Sequence, residues 1–168
     1  MIGYGPYWYW YLFTSEEGLR ILDTHTESAF TALHGDPATW MDIFGREDGL
    51  ENYLLEERKQ EVLPYARAEM REVFVKHMAK DGFTVPLLGY KAMLEAVHID
   101  AKKNVLSETN MVKVPTLFIA ATKDPLGLPA AIQQPVALGL LPDLTVDEID
   151  AACRRSVKAL MKWLRSKF

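Results

Sequence analysis

The chain has 168 residues, 49% of them apolar and 25% charged, a balance that excludes intrinsic disorder and suits a soluble folded protein. A formal net charge of -4 and a pI near 5.6, with no run of lysine or arginine, exclude a dominant nucleic-acid-binding face. The one cysteine, Cys153, makes no internal disulfide, which points to an intracellular and specifically cytoplasmic setting.

Met1 to Phe13 is aromatic and uncharged, without the basic start and small-residue cleavage site of a signal peptide. It is also shorter than the ~20 apolar residues that span a bilayer. Tyr7, Trp8, Tyr9, Trp10 and Tyr11 present a large apolar surface with no preceding element to cover it, so further elements of the fold are expected upstream. Ser15 then opens a helix over 16–33, in which Leu19, Leu22, Ala29, Phe30 and Leu33 recur at helical spacing before Gly35. Asp36-Pro37 is an N-cap followed by a first-turn proline, which starts a short helix through Trp40 and Ile43 to Gly45.

The charged segment 46–63 carries no assignment. Over 64–80 a helix is expected with Ala66, Met70, Val73, Phe74 and Met78 on one stripe and Gly82 beyond its end. A further helix is expected from Pro86 to about His98. The texture then changes. Thr116 to Ala121, introduced by Pro115, is a short apolar run of β-forming residues and is expected to be a buried strand. A helix over 129–138, a strand from Leu144 to Ile149 and an amphipathic helix over 154–168 follow, the last with Val157, Leu160, Met161 and Leu164 inward.

Strand, helix, strand, helix implies parallel strands joined by a crossover. Two parallel strands leave edges unpaired, so they are expected to belong to a larger sheet. The fold class is therefore α/β, with a helical region over 1–105 and a strand-containing region over 106–168, the boundary lying near Ala101 to Met111.

Three segments in order carry a family resemblance. Tyr7-Trp8-Tyr9-Trp10-Tyr11-Leu12-Phe13 is similar to the aromatic start of a helical cap. Asp81-Gly82-Phe83-Thr84-Val85-Pro86-Leu87-Leu88-Gly89-Tyr90 is similar to a Gly-Phe-x-x-Pro-x-x-x-Tyr cap segment. Val114-Pro115 through Lys123-Asp124 is similar to the penultimate core strand and its acid-bearing loop. Together they resemble the epoxide hydrolase branch of the α/β-hydrolase family. The resemblance implies a C-terminal part of that fold: a cap followed by the last core strands, with the N-terminal core strands missing.

In that family an Asp nucleophile opens an epoxide to an ester, and a His oriented by an acid activates the water that hydrolyses it. Two cap tyrosines stabilise the alkoxide. By this resemblance Asp124 matches the orienting acid, Tyr90 one cap tyrosine and Tyr9 the other, with Tyr11 and Tyr7 as rivals for the last position. The substrate it implies is a small apolar epoxide.

The same comparison exposes gaps. Where the family has His after its last strand, this chain reads Asp150-Ala151-Ala152-Cys153, and no Gly-x-Asp-x-Gly or Gly-x-Ser-x-Gly elbow occurs. The isolated chain is thus expected to be inactive, and a non-catalytic binding fragment is the competing expectation. His34-Gly35-Asp36-Pro37 matches the family's His-Gly-x-Pro oxyanion motif but sits between helical patterns, so it is read as one helix stopping and another starting. His25, His34, His77 and His98 show no ligand spacing, so no metal is expected. Without a glycine-rich phosphate loop, no cofactor is expected either. The unpaired sheet edge implies self-association.

Overall fold

A computed structural model describes residues 7–95, 111–125, 132–150 and 157–167. The chain divides into two units, Met1–His98 and Ile99–Phe168.

The first unit is helical. Helix α1 (Tyr9–Thr14) buries Leu12 and Phe13, and Ser15 ends it while capping α2 (Glu16–Thr24): the Ser15 hydroxyl accepts from the Gly18 N–H at 2.9 Å. Helix α3 (Thr26–His34) follows at once. The single helix expected over 16–33 is therefore two. His25 leaves helical geometry at φ -118, ψ 41; its N–H still donates to the Ile21 carbonyl at 3.0 Å, and its ring Nδ1 lies 2.8 Å from the same oxygen. No glycine or proline in the sequence announces the break.

His34 closes α3, and Gly35 makes an antiparallel bridge with Val62. Asp36 caps a 3-10 turn (Pro37–Thr39) through the Ala38 N–H, and α4 (Trp40–Ile43) continues from it. The His34 to Pro37 motif is thus a helix stop and start. Helix α5 (Gly49–Leu55) lies in the charged segment left unassigned and buries Leu50, Tyr53 and Leu54. Its core is shared with α3, where Phe30 and Leu54 are fully buried and the Tyr53 hydroxyl meets that of Thr31 at 2.9 Å.

Helix α6 (Ala68–Asp81) starts later than expected, because Ala66 belongs to the preceding turn and donates its N–H to the Leu63 carbonyl. Of the expected stripe, Ala66 is buried and Met70, Phe74 and Met78 are partly covered, while one member departs. Val73 is exposed, and Phe74 makes the inward contacts, with Phe30 at 5.3 Å and Phe83 at 5.9 Å. Helix α7 (Thr84–Leu94) begins two residues before the expected Pro86. Proline is tolerated there because the N–H groups of a first turn have no intrahelical acceptor. The part of the expected helix beyond Glu95 lies outside the described residues.

The second unit contains strands β1 (Thr116–Ala121) and β2 (Leu144–Ile149), which pair in parallel with Thr116 opposite Leu144 and Ala121 opposite Ile149. Helix α8 (Gln133–Ala137) lies between them in sequence and α9 (Val157–Lys167) follows. The described chain is therefore mixed helix and strand with a parallel pair, which is α/β in general. Leu160 and Leu164, expected inward on α9, are exposed, Trp163 is partly covered, and the side chains of Val157 and Met161 lie outside the described set. A helix against a narrow two-stranded face covers fewer positions than one against a full sheet. The proposed boundary residues Ala101 to Asn110 and the start of the expected helix at 129–131 lie outside the described residues. No helix among the described residues is long and apolar enough to cross a membrane.

Candidate functional site

Tyr90 sits on the inner side of α7, where three rings of α1 close around it edge-on. Tyr9 is at 5.9 Å and 75°, Trp10 at 5.6 Å and 77°, and Phe13 at 5.1 Å and 73°. Edge-to-face contact places the positive ring edge against a negative π face, an arrangement worth about 0.5–1.5 kcal/mol per pair beyond area burial. Tyr9 and Phe13 are one helical turn apart, so both reach the same side of α1. Phe44, just past α4, completes the cluster at 5.6 Å from Tyr9, and its carbonyl accepts the Tyr9 N–H at 3.3 Å.

This periodicity separates the tyrosine candidates of the first segment. Tyr9 packs against Tyr90, while Tyr7 and Tyr11 are 54% and 64% exposed. Trp10, Phe13 and Phe44 are members of the cluster that sequence reasoning did not single out. None of the three carried a clear sequence signal, because α1 is too short to show a period and Phe44 lies outside any periodic run.

Burial holds the Tyr9 phenol above its ordinary 10.0, and the neighbouring Tyr90 adds to this. The neighbouring Trp10 indole acts in the opposite direction. A phenol in such surroundings stays protonated at neutral pH and remains a hydrogen-bond donor.

The segment that carries Tyr90 is anchored by Asp23 of α2. Its carboxylate accepts the Phe83 N–H at 2.8 Å, and Phe83 is buried against Phe74 at the start of α7. Gly82 makes the turn between α6 and α7 at φ 72, ψ 175, a conformation available essentially to glycine alone.

Asp124 lies in the second unit, just past the carboxyl end of β1, where its N–H donates to the Ala121 carbonyl at 3.2 Å in a tight turn. The neighbouring Thr122 donates both its N–H and its hydroxyl to the Ile149 carbonyl, which ties the ends of the two strands together. Lys123 pairs with Asp150 at 3.0 Å across the same edge. Open parallel sheets bind ligands outside the carboxyl ends of their strands, and Asp124 occupies that end. Cys153, at the position where the resemblance implies a histidine, lies outside the described residues. Among the described residues no group of three or more metal-ligating side chains converges.

Compared with known proteins, the chain matches no family model, no curated protein and no solved structure.

Proposed function

We propose that this chain carries the cap and the last core strands of an α/β-hydrolase of the epoxide hydrolase type, with Tyr9 and Tyr90 as the donors to an epoxide oxygen. The observation that carries the proposal is the edge-on contact of these two rings at 5.9 Å, from segments more than seventy residues apart in sequence. Burial favours the neutral phenol at Tyr9, which suits it to hydrogen-bond an oxygen as negative charge develops there. In this reading Asp124, past the carboxyl end of β1, orients the base that activates water. The parallel β1 and β2 pair is compatible with the last strands of a larger sheet, whose unpaired edge would make the chain self-associate.

A non-catalytic reading of the isolated chain is favoured by one specific observation: its sequence holds no nucleophile elbow, and Asp150-Ala151-Ala152-Cys153 offers no histidine after β2. The two readings agree on ligand and differ on turnover. Titration with styrene oxide and with phenylcyclopropane, which has the same shape without the oxygen, tests the ligand. The epoxide should bind more tightly, and Tyr90→Phe should erase that preference while leaving the hydrocarbon unaffected. Equal affinities in the unaltered chain would remove the basis for assigning Tyr9 and Tyr90 as oxygen donors. Diol formation that disappears in Asp124→Asn would rule out the non-catalytic reading.

A further inference from the structure

A cavity of about 340 Å³ opens on α1 beside the start of α2 and the loop entering α5. Its floor is apolar, with Leu12 and Leu50 both buried, and its wall includes Trp8 and Tyr11, whose rings stand 5.6 Å apart and tilted by 45°. Tyr11 is 64% exposed, a large ring held at the mouth of a concave site without a covering element. Tyr9 lines it and also meets Tyr90 on α7, whereas Tyr90 and Trp10 are not part of the lining.

Carboxylates outnumber basic groups around this aromatic wall. Glu47, Asp48 and Glu51 line the cavity and form no ion pair among the described residues, Glu17 is paired with Arg20, and Arg46 is a basic side chain of the same lining. These carboxylates do not converge as a metal would require. A dispersed negative field beside exposed π faces suits a large, weakly hydrated cation, because such an ion is attracted by ring quadrupoles and needs no close oxygen cage. A small divalent ion would need the opposite arrangement, several oxygens at short, fixed distances.

We propose that this cavity binds a small organic ammonium ion, seated against Trp8 and Tyr11 with the carboxylates of Glu47, Asp48 and Glu51 around it. The site shares Tyr9 with the epoxide reading but neither Tyr90 nor Asp124, and it is tested at Tyr11 and Glu47, which that reading does not use. An alkylated ammonium head group is the chemistry recognised, whether on a free molecule or on a modified lysine side chain.

The test is titration of the full chain with choline, followed by tryptophan emission and calorimetry, beside its neutral isostere 3,3-dimethylbutan-1-ol. Choline should bind saturably with a Kd of roughly 1 mM or tighter. The isostere should bind at least about tenfold more weakly, a difference on the scale of a desolvated cation–π contact. Tyr11→Leu, at an exposed position, should weaken choline about three- to fivefold, and Glu47→Gln should weaken it further without altering the isostere. Trimethyllysine amide, titrated in parallel, separates a side-chain head group from a free one. Equal binding of choline and the isostere would overturn the proposal, as would displacement of choline by equimolar potassium or an unchanged affinity in Tyr11→Leu. No saturable binding in this range would overturn it as well.

Discussion

Gly82 and Gly89 lie seven residues apart in the segment that carries Tyr90, and the structure assigns them opposite responses to the same substitution. Gly82 has φ 72 and ψ 175, where an L side chain is strained by about 1–3 kcal/mol. A Cβ there would also stand 3.2 Å from both carboxylate oxygens of Asp23, which must then shift and loosen the 2.8 Å bond to the Phe83 N–H. That bond is part-buried and involves a charged acceptor on an exposed side chain, so its weakening adds about 0.5–1 kcal/mol. Gly82→Ala should therefore cost about 1.5–4 kcal/mol. Gly89 is inside α7 with nothing within 4 Å of a built Cβ, so Gly89→Ala should stabilise by about 0.5–1 kcal/mol. Urea unfolding followed by tryptophan emission in a Trp163→Phe background reads Trp8, Trp10 and Trp40, all in the helical unit. Repeating Gly82→Ala with Asp23→Ala separates the two contributions: the crowding part should vanish and the backbone part should persist. A cost below about 0.5 kcal/mol for Gly82→Ala, or a loss of stability in Gly89→Ala, would refute the reasoning.

Three further outcomes follow from the core of the helical unit. Phe30, fully buried and in contact with His34 and Phe74, should cost about 3–5 kcal/mol as Phe30→Ala, measured by the same urea titration. Ser15→Ala removes the acceptor of the Gly18 N–H and should cost about 1 kcal/mol, with helical circular dichroism retained at low urea. Tyr53→Phe loses its contact with Thr31, whose hydroxyl keeps its bond to the Ser28 carbonyl, so the cost at pH 7 should be about 0.5–1.5 kcal/mol. Burial holds the Tyr53 phenol above its ordinary 10.0, offset in part by Thr31 and Arg58. The unfolded chain thus releases this proton first, and the stability present below pH 10.0 falls as the pH rises through the folded value. Tyr53→Phe should flatten the alkaline limb of a stability profile; a limb of unchanged slope would exclude this phenol as a contributor.

The contrast between what the sequence disclosed and what it hid has a physical basis in how each element is stabilised. The strands Thr116–Ala121 and Leu144–Ile149 were legible because a short run of β-forming residues after a proline has few alternatives, while their register, Thr116 opposite Leu144, is known from the structure alone. Helix α5 was hidden because only Leu50, Tyr53 and Leu54 turn inward from a charged segment, and it starts after Asp48 at φ 55, a left-handed residue that no pattern rule anticipates. The break at His25 was hidden for a similar reason: the backbone leaves helical geometry at a residue that is neither glycine nor proline. For the site, the resemblance nominated Tyr9 and Tyr90 but left Tyr7 and Tyr11 open. Sequence spacing alone does not settle such a choice, because α1 is six residues long and too short to show a period. The partner decides it. Once Phe44 holds the Tyr9 N–H and Asp23 holds the turn before α7, Tyr9 and Phe13 are set against Tyr90 while Tyr11 is turned towards solvent. What holds the two tyrosine-bearing segments is therefore a pair of hydrogen bonds from the Tyr9 and Phe83 N–H groups to acceptors outside both segments, the Phe44 carbonyl and the Asp23 carboxylate.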